Sequence, residues 1–401
     1  MSDDTPRFDL VQSDLSQRDF VQQIRSSFAL VQQHDTAAAA WFYQHFLTAN
    51  PRYRKYFSND PVLIQRRLFQ AFERIVTDID RLESFLPYVR RLALRHRKFG
   101  LRESHYQAFG ASLLATVREF TGDQWSEQTE SAWEAGYGLV ASVMLAATAE
   151  ADQTTPPYWE AEVVGHELMT AEIARLTLRV RQDPARPGHY AFKAGQYAAL
   201  ETAGLVRTWR DFSFSGAPKA ADEVEFQIQG GRTGGVSDAL VNATAVGDRL
   251  RIAAAEGELS FPGPERVGRL LAMAHGTGAA PIFALAQAAT QSGDRRPLSV
   301  ILVTEGEPHY LTAFFEELAA EHGALSVEEV TGDPLAAVRA HAIAAGDDTV
   351  IGGMGKSSAN PRAATGLGAV LVGPSTLIES CRTALLRAGV SPDDISSDLF
   401  G

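Results

Sequence analysis

The chain changes its hydrophobic period at about residue 152, and this change limits the folds that it can adopt. From about residue 18 to residue 150, apolar residues recur at helical spacing, as at Phe20, Ile24 and Phe28, which predicts helices throughout. A polar, proline-rich segment at 152–157 ends this pattern, and apolar and polar residues then alternate, which predicts strands. Because 401 residues exceed what one hydrophobic core usually serves, we expect more than one domain.

The part after the proline-rich segment itself contains two patterns. Strand-like segments begin at 159–164, and glycines and prolines then recur about every eight to twelve residues, which is typical of a small antiparallel barrel. From Arg269 onward, short apolar runs alternate with helical segments, which predicts a parallel sheet. The sequence therefore predicts a multidomain chain: an all-α domain over 1–152, an antiparallel β-barrel over 153–264 and an α/β domain over 265–401.

Composition excludes several classes of function. The chain has 37 basic and 49 acidic residues and a net charge of −12, which argues against binding to nucleic acid. One cysteine, Cys381, allows no internal disulfide, as expected in a reducing compartment. The acidic N-terminus does not resemble a targeting peptide, and no run of about eighteen apolar residues could span a bilayer. We expect a cytoplasmic, monomeric protein that acts on small molecules.

A histidine and a tyrosine in the helical part are candidates for cofactor chemistry. His96 comes late in a predicted helix, a break at Phe99-Gly100 follows, and Tyr106 starts the next helix. A histidine in such a place can ligate a haem iron through one ring nitrogen while a second group holds the other nitrogen. The alternative is a surface histidine on a basic helix. Three rival histidines are predicted to serve packing or the surface: His34, His45 and His105.

Three further motifs stand in a fixed order in the second half of the chain. They are Arg-Asp-Phe-Ser at 210–213, Gly-Gly-Val-Ser at 234–237 and Gly-Thr-Gly-Ala-Ala-Pro at 276–281. Together with the first 150 residues, they resemble a flavohaemoglobin, which is a globin fused to a reductase of the ferredoxin-NADP reductase type. The resemblance covers nearly the whole chain apart from the N-terminal tail and a segment near 352–366, whose role the sequence does not indicate.

The resemblance implies a haem b with His96 as the axial ligand of its iron. In the family, a tyrosine and a glutamate support this histidine; Tyr106 matches the tyrosine, whereas Thr148 stands at the glutamate's position, with Glu150 two residues later. On the opposite face of the haem, Tyr43 would donate a hydrogen bond to bound dioxygen. The alternative for Tyr43 is a core aromatic residue of its helix.

The rest of the expected haem-binding set lies between these residues. Phe57 matches the family's phenylalanine that packs on the haem. Counting back from His96 places Ile64 where the family has a distal glutamine, with Gln65 next to it. Because Ile64, Leu68 and Phe72 share one helical face, an apolar wall is the expected environment on this side.

The resemblance also implies that the second half binds FAD. Arg210 would neutralise the pyrophosphate, Phe212 would offer an aromatic face in place of the usual tyrosine, and Ser213 would bond near the reactive ring nitrogen. A glycine turn offers backbone amides to the same phosphates, and the strand with Tyr197 flanks the flavin. The residues of that turn are Gly234, Gly235, Val236 and Ser237.

A nicotinamide site is implied at the predicted parallel sheet. Its first turn would follow an apolar strand, and Pro281 would open the helix behind it. A second turn and a C-terminal aromatic residue would complete the site, although Phe400 could also belong to a frayed tail. The expected residues are Gly276, Thr277, Gly278, Gly373, Pro374 and Phe400. Both NADH and NADPH remain open, but acids at 305 and 307 favour NADH.

The combination of cofactors implies nitric oxide dioxygenase activity: NAD(P)H reduces FAD, FAD reduces the haem, and bound O2 converts nitric oxide to nitrate. One alternative is a haem-based oxygen or redox sensor, or an electron-transfer protein, with an attached reductase. Another is a flavin reductase whose globin part holds no haem. No signalling segment is evident in the sequence, which favours the enzyme.

Overall fold

We analysed a computed structural model, which describes residues 17–56, 61–186, 188–219, 222–351 and 366–400. Side chains at 17, 61–64 and 344–351 also lie outside the description. The chain forms two compact units, Met1–Pro157 and Tyr158–Gly401. No helix within the described ranges is long and apolar enough to cross a membrane.

The N-terminal unit is all helical, as predicted. Its helices are α1 (Gln17–Gln32), α2 (Asp35–Ala49), α3 (Pro61–Asp78), α4 (Leu82–His96), α5 (Glu103–Thr121) and α6 (Glu127–Asp152). The apolar face of α1 is buried at Ile24 and Phe28, the spacing that predicted the helix. Phe85 and Val89 of α4 are fully buried against the same core, so α4 has one fixed face.

The C-terminal unit begins with a six-stranded antiparallel sheet. Its strands are β1 (Trp159–Leu168), β2 (Ile173–Val180), β3 (Tyr197–Thr202), β4 (Arg210–Ser213), β5 (Glu223–Gln229) and β6 (Arg249–Ile252), in the order β4-β3-β6-β1-β2-β5. The two outer strands meet through a bridge between Phe214 and Phe226, and the amide of Ser215 donates to the carbonyl of Glu225 at 2.8 Å. The sheet therefore closes almost completely into the predicted barrel. A short helix, α7 (Val236–Asn242), packs on its strands.

A five-stranded parallel sheet follows, in the order β11-β10-β7-β8-β9. Its strands are β7 (Arg269–His275), β8 (Leu298–Thr304), β9 (Leu325–Thr331), β10 (Leu367–Pro374) and β11 (Ile395–Phe400). The connecting helices are α8 (Ala279–Ser292), α9 (Thr312–His322), α10 (Leu335–Ile351) and α11 (Ser375–Arg387). Helices pack on both faces of β7 and β10, which explains why these two strands are almost wholly apolar.

The predicted order of helical, barrel and parallel-sheet parts is therefore confirmed. The two sheets lie on opposite sides of residue 264 in the sequence, whereas contacts divide the chain only after Pro157. The three domain ranges stay predictions. The 352–366 segment, except for its last residue, lies outside the described residues.

Candidate functional site

The last residue of α4 is a histidine whose ring orientation is fixed by its own helix. Nδ1 of His96 lies 2.7 Å from the carbonyl oxygen of Leu92. Because a carbonyl can only accept, Nδ1 carries the ring proton and Nε2 keeps its lone pair. Burial lowers the pKa of His96, and Lys98 and Arg95 lower it further, against the opposing effect of the Leu92 bond. The imidazole is therefore neutral at pH 7 and can bind a metal through Nε2.

The side chains expected to support this histidine do not hold its Nδ1. The carboxylate of Glu150 is 68% exposed and pairs with Arg90 at 2.5 Å, and its role at the haem stays a prediction. Tyr106 is partly buried, and its backbone carbonyl accepts a hydrogen bond of 2.7 Å from the hydroxyl of Tyr137. The acceptor for Nδ1 is the Leu92 carbonyl, which lies one helical turn earlier.

A buried arginine that we did not predict follows the histidine directly. The side chain of Arg97 is 5% exposed and bonds to the carboxylate of Asp152 at 2.7 Å. It also donates to the carbonyl of Thr155 at 2.5 Å and to its hydroxyl at 3.0 Å. These bonds fix the turn after α4 to the end of α6. The partners lie 55 and 58 residues away in the chain, so no local pattern could reveal them.

The residues expected on the opposite side of the haem are only partly described. Tyr43 lies half-buried on α2 against the helical core, and burial raises its pKa. Gln65 is partly buried on α3. Phe57 and the side chain of Ile64 lie outside the described residues. The roles of these residues therefore stay predictions.

An apolar cavity of about 30 Å³ lies inside the N-terminal unit. It is lined by Leu68 and Phe72 of α3 together with residues of α1, α2, α5 and α6, and its lining surface is apolar. The hydroxyl of Thr116, a lining residue, already donates to the carbonyl of Ser112 at 2.7 Å. The cavity can hold a diatomic molecule but offers water few partners. The face shared by Leu68 and Phe72 is therefore apolar, as predicted.

The rival histidines have structural partners. Nδ1 of His45 lies 3.2 Å from the hydroxyl of Ser112, and His34 is exposed before α2. Nδ1 of His105 accepts a hydrogen bond of 3.0 Å from the Arg102 amide at the start of α5. These contacts agree with the packing and surface roles predicted for all three.

The motif expected to bind the flavin lies on β4, where the barrel closes. Tyr197 of β3 pairs directly with Ser213, and Phe212 faces Ala198 in the same ladder. Arg210 is partly buried, and its guanidinium donates to the carbonyl of Trp209 at 3.2 Å. The pairing of β3 and β4 thus brings Tyr197 and the Arg-Asp-Phe-Ser motif together.

The glycine turn before α7 offers a backbone amide to an anion. Gly234 has a φ of +77°, which favours glycine, and its amide donates to the carboxylate of Asp238 at 2.8 Å. Gly235 precedes the helix, Val236 is buried and Ser237 is partly buried. A phosphate oxygen could take the place of this carboxylate oxygen, so the turn fits a pyrophosphate.

The expected nicotinamide residues meet at one edge of the parallel sheet. The Gly276–Gly278 turn follows β7 and leads into α8, which contains Pro281 in its first turn. A Cβ on Gly278 would lie 2.9 Å from the ring of Phe400 and 3.0 Å from the carbonyl oxygen of Val372. Phe400 pairs with Pro374 in the parallel β10–β11 ladder. β11 is therefore an edge strand of the sheet, and Gly373 pairs with Leu399 on it. Thr277 lies in the Gly276–Gly278 turn.

A metal site built from protein ligands alone was not found. Within the described part of the chain, no group of three or more histidine, cysteine, aspartate or glutamate residues could hold a metal ion.

Comparisons with known proteins agree with the fold. The globin family model matches residues 40–144. The chain is 27% identical to the flavohemoprotein of Chromobacterium violaceum over 399 residues, covering 94% of this chain and 96% of that protein. It is 25% identical to the flavohemoprotein of Bordetella parapertussis over 409 residues, with the same coverage.

Among solved structures, a flavohaemoglobin of Malassezia yamatoensis with bound FAD and haem superposes with a TM-score of 0.74. It is 17% identical, and the match covers 97% of this chain and 100% of that one. At this identity the match shows the shared architecture. Helical, barrel and parallel-sheet parts occur in one order in both chains, and two flavohemoproteins match nearly end to end. The chain is therefore similar to flavohaemoglobins over nearly its whole length.

Proposed function

We propose that this protein is an oxidoreductase that passes electrons from NADH through FAD to a haem and converts nitric oxide and dioxygen to nitrate. The observation that carries the proposal is the hydrogen bond between His96 and Leu92, which leaves Nε2 free to bind iron. The Arg-Asp-Phe-Ser motif and the glycine turns at the edge of the parallel sheet would bind the flavin and the nicotinamide, which would supply the electrons. The matching proteins are named flavohemoproteins, which supports a flavin and a haem in one chain.

The N-terminal unit fits a haem. His96 would hold the iron through Nε2 while the Leu92 carbonyl keeps the ring in one tautomer and one orientation. Tyr43 would offer its hydroxyl to a ligand on the open side of the haem, because burial keeps this phenol protonated. When bound, the haem would supply an iron that binds dioxygen and accepts one electron at a time. The apolar cavity beside α3 would admit small uncharged gases.

The C-terminal unit fits FAD and a nicotinamide. Arg210 and the amide of Gly234 would hold the pyrophosphate. Gly278 would bring the first nicotinamide turn close to Phe400, since any larger residue there meets the Val372 carbonyl. Together these cofactors would supply hydride transfer and then single electrons. Glu305, whose side chain is 85% exposed beyond β8, would repel a 2′-phosphate, which favours NADH over NADPH.

Visible spectra of the purified protein test this proposal in three steps. We expect haem and flavin bands as purified, bleaching of the flavin and reduction of the haem by NADH, and NADH consumption that nitric oxide stimulates under air. The His96→Ala variant should lose the haem and keep the flavin, and His45→Ala is its matched control. A His96→Ala protein that retained a full complement of tightly bound haem would refute the assignment.

A haem-based sensor or electron-transfer protein is the second candidate. It is favoured by the partner of Nδ1 in His96, which is a backbone carbonyl. A histidine that donates to a carbonyl passes less electron density to the iron than one that donates to the carboxylate expected in the family. The two functions differ in one measurement. A sensor would bind dioxygen and be reduced by NADH, yet nitric oxide would not accelerate NADH consumption under air.

A further inference from the structure

Two adjacent residues outside every predicted motif connect the barrel to the nicotinamide turn. His309 and Tyr310 lie in the segment between β8 and α9. Nε2 of His309 lies 3.0 Å from the carbonyl oxygen of Gly276, the first residue of that turn. The hydroxyl of Tyr310 donates to the side-chain oxygen of Gln227 on β5 at 3.0 Å. One dipeptide thus contacts both elements.

The bond to Gly276 requires one tautomer of the histidine. The amide of Leu311 donates to Nδ1 of His309 at 3.2 Å, so this nitrogen must be unprotonated. Nε2 therefore carries the proton that is donated to the Gly276 carbonyl. The backbone amide of His309 is itself held by the carboxylate of Glu329 at 3.0 Å. The side chain is 8% exposed, so water competes little for these bonds.

The bond of Tyr310 reaches the barrel next to the flavin motif. Gln227, which is 7% exposed, follows Phe226, and Phe226 bridges to Phe214 directly after the motif that ends at Ser213. The rings of His309 and Tyr310 stack with centroids 4.6 Å apart. A shift of one side chain is therefore transmitted to the other, because both are packed and each has one hydrogen-bond partner outside the segment.

We infer that His309 and Tyr310 are positioning residues that set the separation between the nicotinamide turn and the flavin-bearing strand. They would act through their hydrogen bonds to Gly276 and Gln227. Hydride transfer from nicotinamide to flavin requires the two rings to approach within about 3–3.5 Å, so an error in this separation lowers the rate. This inference rests on the proposed function of the C-terminal unit.

Two variants of the full-length protein test it, each with a matched control. Tyr310→Phe removes one hydroxyl, and Tyr190→Phe removes a buried hydroxyl that donates to Ala253 elsewhere in the barrel at 2.7 Å. His309→Leu removes the donor to Gly276. Its control is His322→Leu, since His322 is also buried, at 3% exposed, on α9. His309→Gln keeps an amide donor and should restore the wild-type behaviour.

The first readout is the limiting rate at which NADH bleaches the bound flavin without oxygen. We expect His309→Leu and Tyr310→Phe to lower it by about tenfold or more, since a misplacement near 1 Å costs on the order of 100-fold. FAD content and the rate of reduction by dithionite should remain at wild-type values. Equal rates in these variants and their controls would overturn the inference, and so would loss of FAD from Tyr310→Phe.

The second readout does not depend on turnover. Amide hydrogen exchange in peptides that cover 276–280 should accelerate about tenfold in His309→Leu and not in His322→Leu, because only His309 holds the turn. Unchanged exchange would contradict the contact's role. If wild-type flavin were not bleached by NADH, the proposed function would fail, whereas the exchange result would still decide whether His309 holds the turn.

Discussion

Replacement of Gly278 by alanine should slow flavin reduction while both cofactors remain bound. An added Cβ would lie 2.9 Å from Phe400 Cε1, 2.9 Å from Val372 Cγ1 and 3.0 Å from the Val372 carbonyl oxygen. Ordinary contacts begin at 3.4 Å, so the overlaps are 0.5, 0.5 and 0.4 Å. Phe400 is 39% exposed at the end of an edge strand and can move.

The Val372 carbonyl cannot move in the same way. Val372 lies on β10 between Ala274 of β7 and Asp398 of β11, with ladders on both sides. The overlap must therefore displace the Gly276–Gly278 turn by about 0.4 Å, and overpacking of this kind costs about 1–3 kcal/mol. If a 1 Å error costs on the order of 100-fold in rate, an error of this size costs about sixfold.

Anaerobic stopped-flow spectroscopy with NADH measures this effect directly. The limiting rate of flavin bleaching should fall about sixfold, with unchanged haem and flavin absorbance. Gly204→Ala is the control, because Gly204 has no heavy atom within 4 Å of an added Cβ and no positive φ. A Gly278→Ala protein that bleached at the wild-type rate would show that this turn does not place the nicotinamide.

Three further predictions concern single side chains. Arg97→Met should lower the free energy of unfolding by about 2–4 kcal/mol, since it removes the hydrogen bonds of a buried guanidinium to Asp152 and Thr155; urea denaturation followed by helix content measures it, and a loss below about 1 kcal/mol would contradict the role. Tyr43→Phe should speed dioxygen release from the reduced haem about tenfold, the effect of one lost hydrogen bond of about 1.4 kcal/mol; flash photolysis would show no change if the hydroxyl does not reach the ligand. Glu305→Gln should narrow the preference for NADH over NADPH by about threefold, a small effect because this exposed charge is screened; an unchanged ratio of kcat/KM values would remove Glu305 from cofactor selection.

The sequence predicted those parts of the molecule whose burial repeats regularly along the chain. Ile24 and Phe28 share one buried helix face, and β7 and β10 are continuous apolar runs between helices. Strand β9, with the sequence Leu-Ser-Val-Glu-Glu-Val-Thr, was missed because it lies at the sheet edge and exposes most of its residues. Its pairing with β8, rather than its own pattern, makes it a strand.

Sites were predicted less completely than elements, because side-chain partners follow from tertiary contacts. The spacing between His96 and Tyr106 is visible in the sequence. The acceptor for Nδ1 of His96 is a backbone carbonyl, and because every residue has one, the sequence does not mark it. Arg97 finds its partners more than fifty residues away. His309 belongs to no repeated pattern, since the segment between β8 and α9 is irregular.

Acid should lower the free energy of unfolding of the C-terminal unit, in part because His309 becomes protonated. Burial lowers its pKa below the usual value of 6.5, and nearby His275 lowers it further, while the bond to Gly276 and the charge of Glu329 oppose this. Protonation would also remove the acceptor for the Leu311 amide. The unfolded chain therefore takes up this proton first, so stability is lost as the pH falls below 6.5 toward the folded pKa, by up to about 1.4 kcal/mol per pH unit.

Only a comparison of variants isolates this histidine, because His322 also has a lowered pKa. His309→Gln keeps a donor but cannot titrate, so its free energy of unfolding should fall less between pH 7 and pH 5 than that of the wild type. His322→Gln should remove a separate part of the pH dependence and leave the contribution of His309 unchanged, since the two residues share no hydrogen bond. Parallel pH profiles for His309→Gln and the wild type would mean that His309 takes up its proton equally in the folded and the unfolded protein, and its bonds to Gly276 and Leu311 would then not depend on one tautomer.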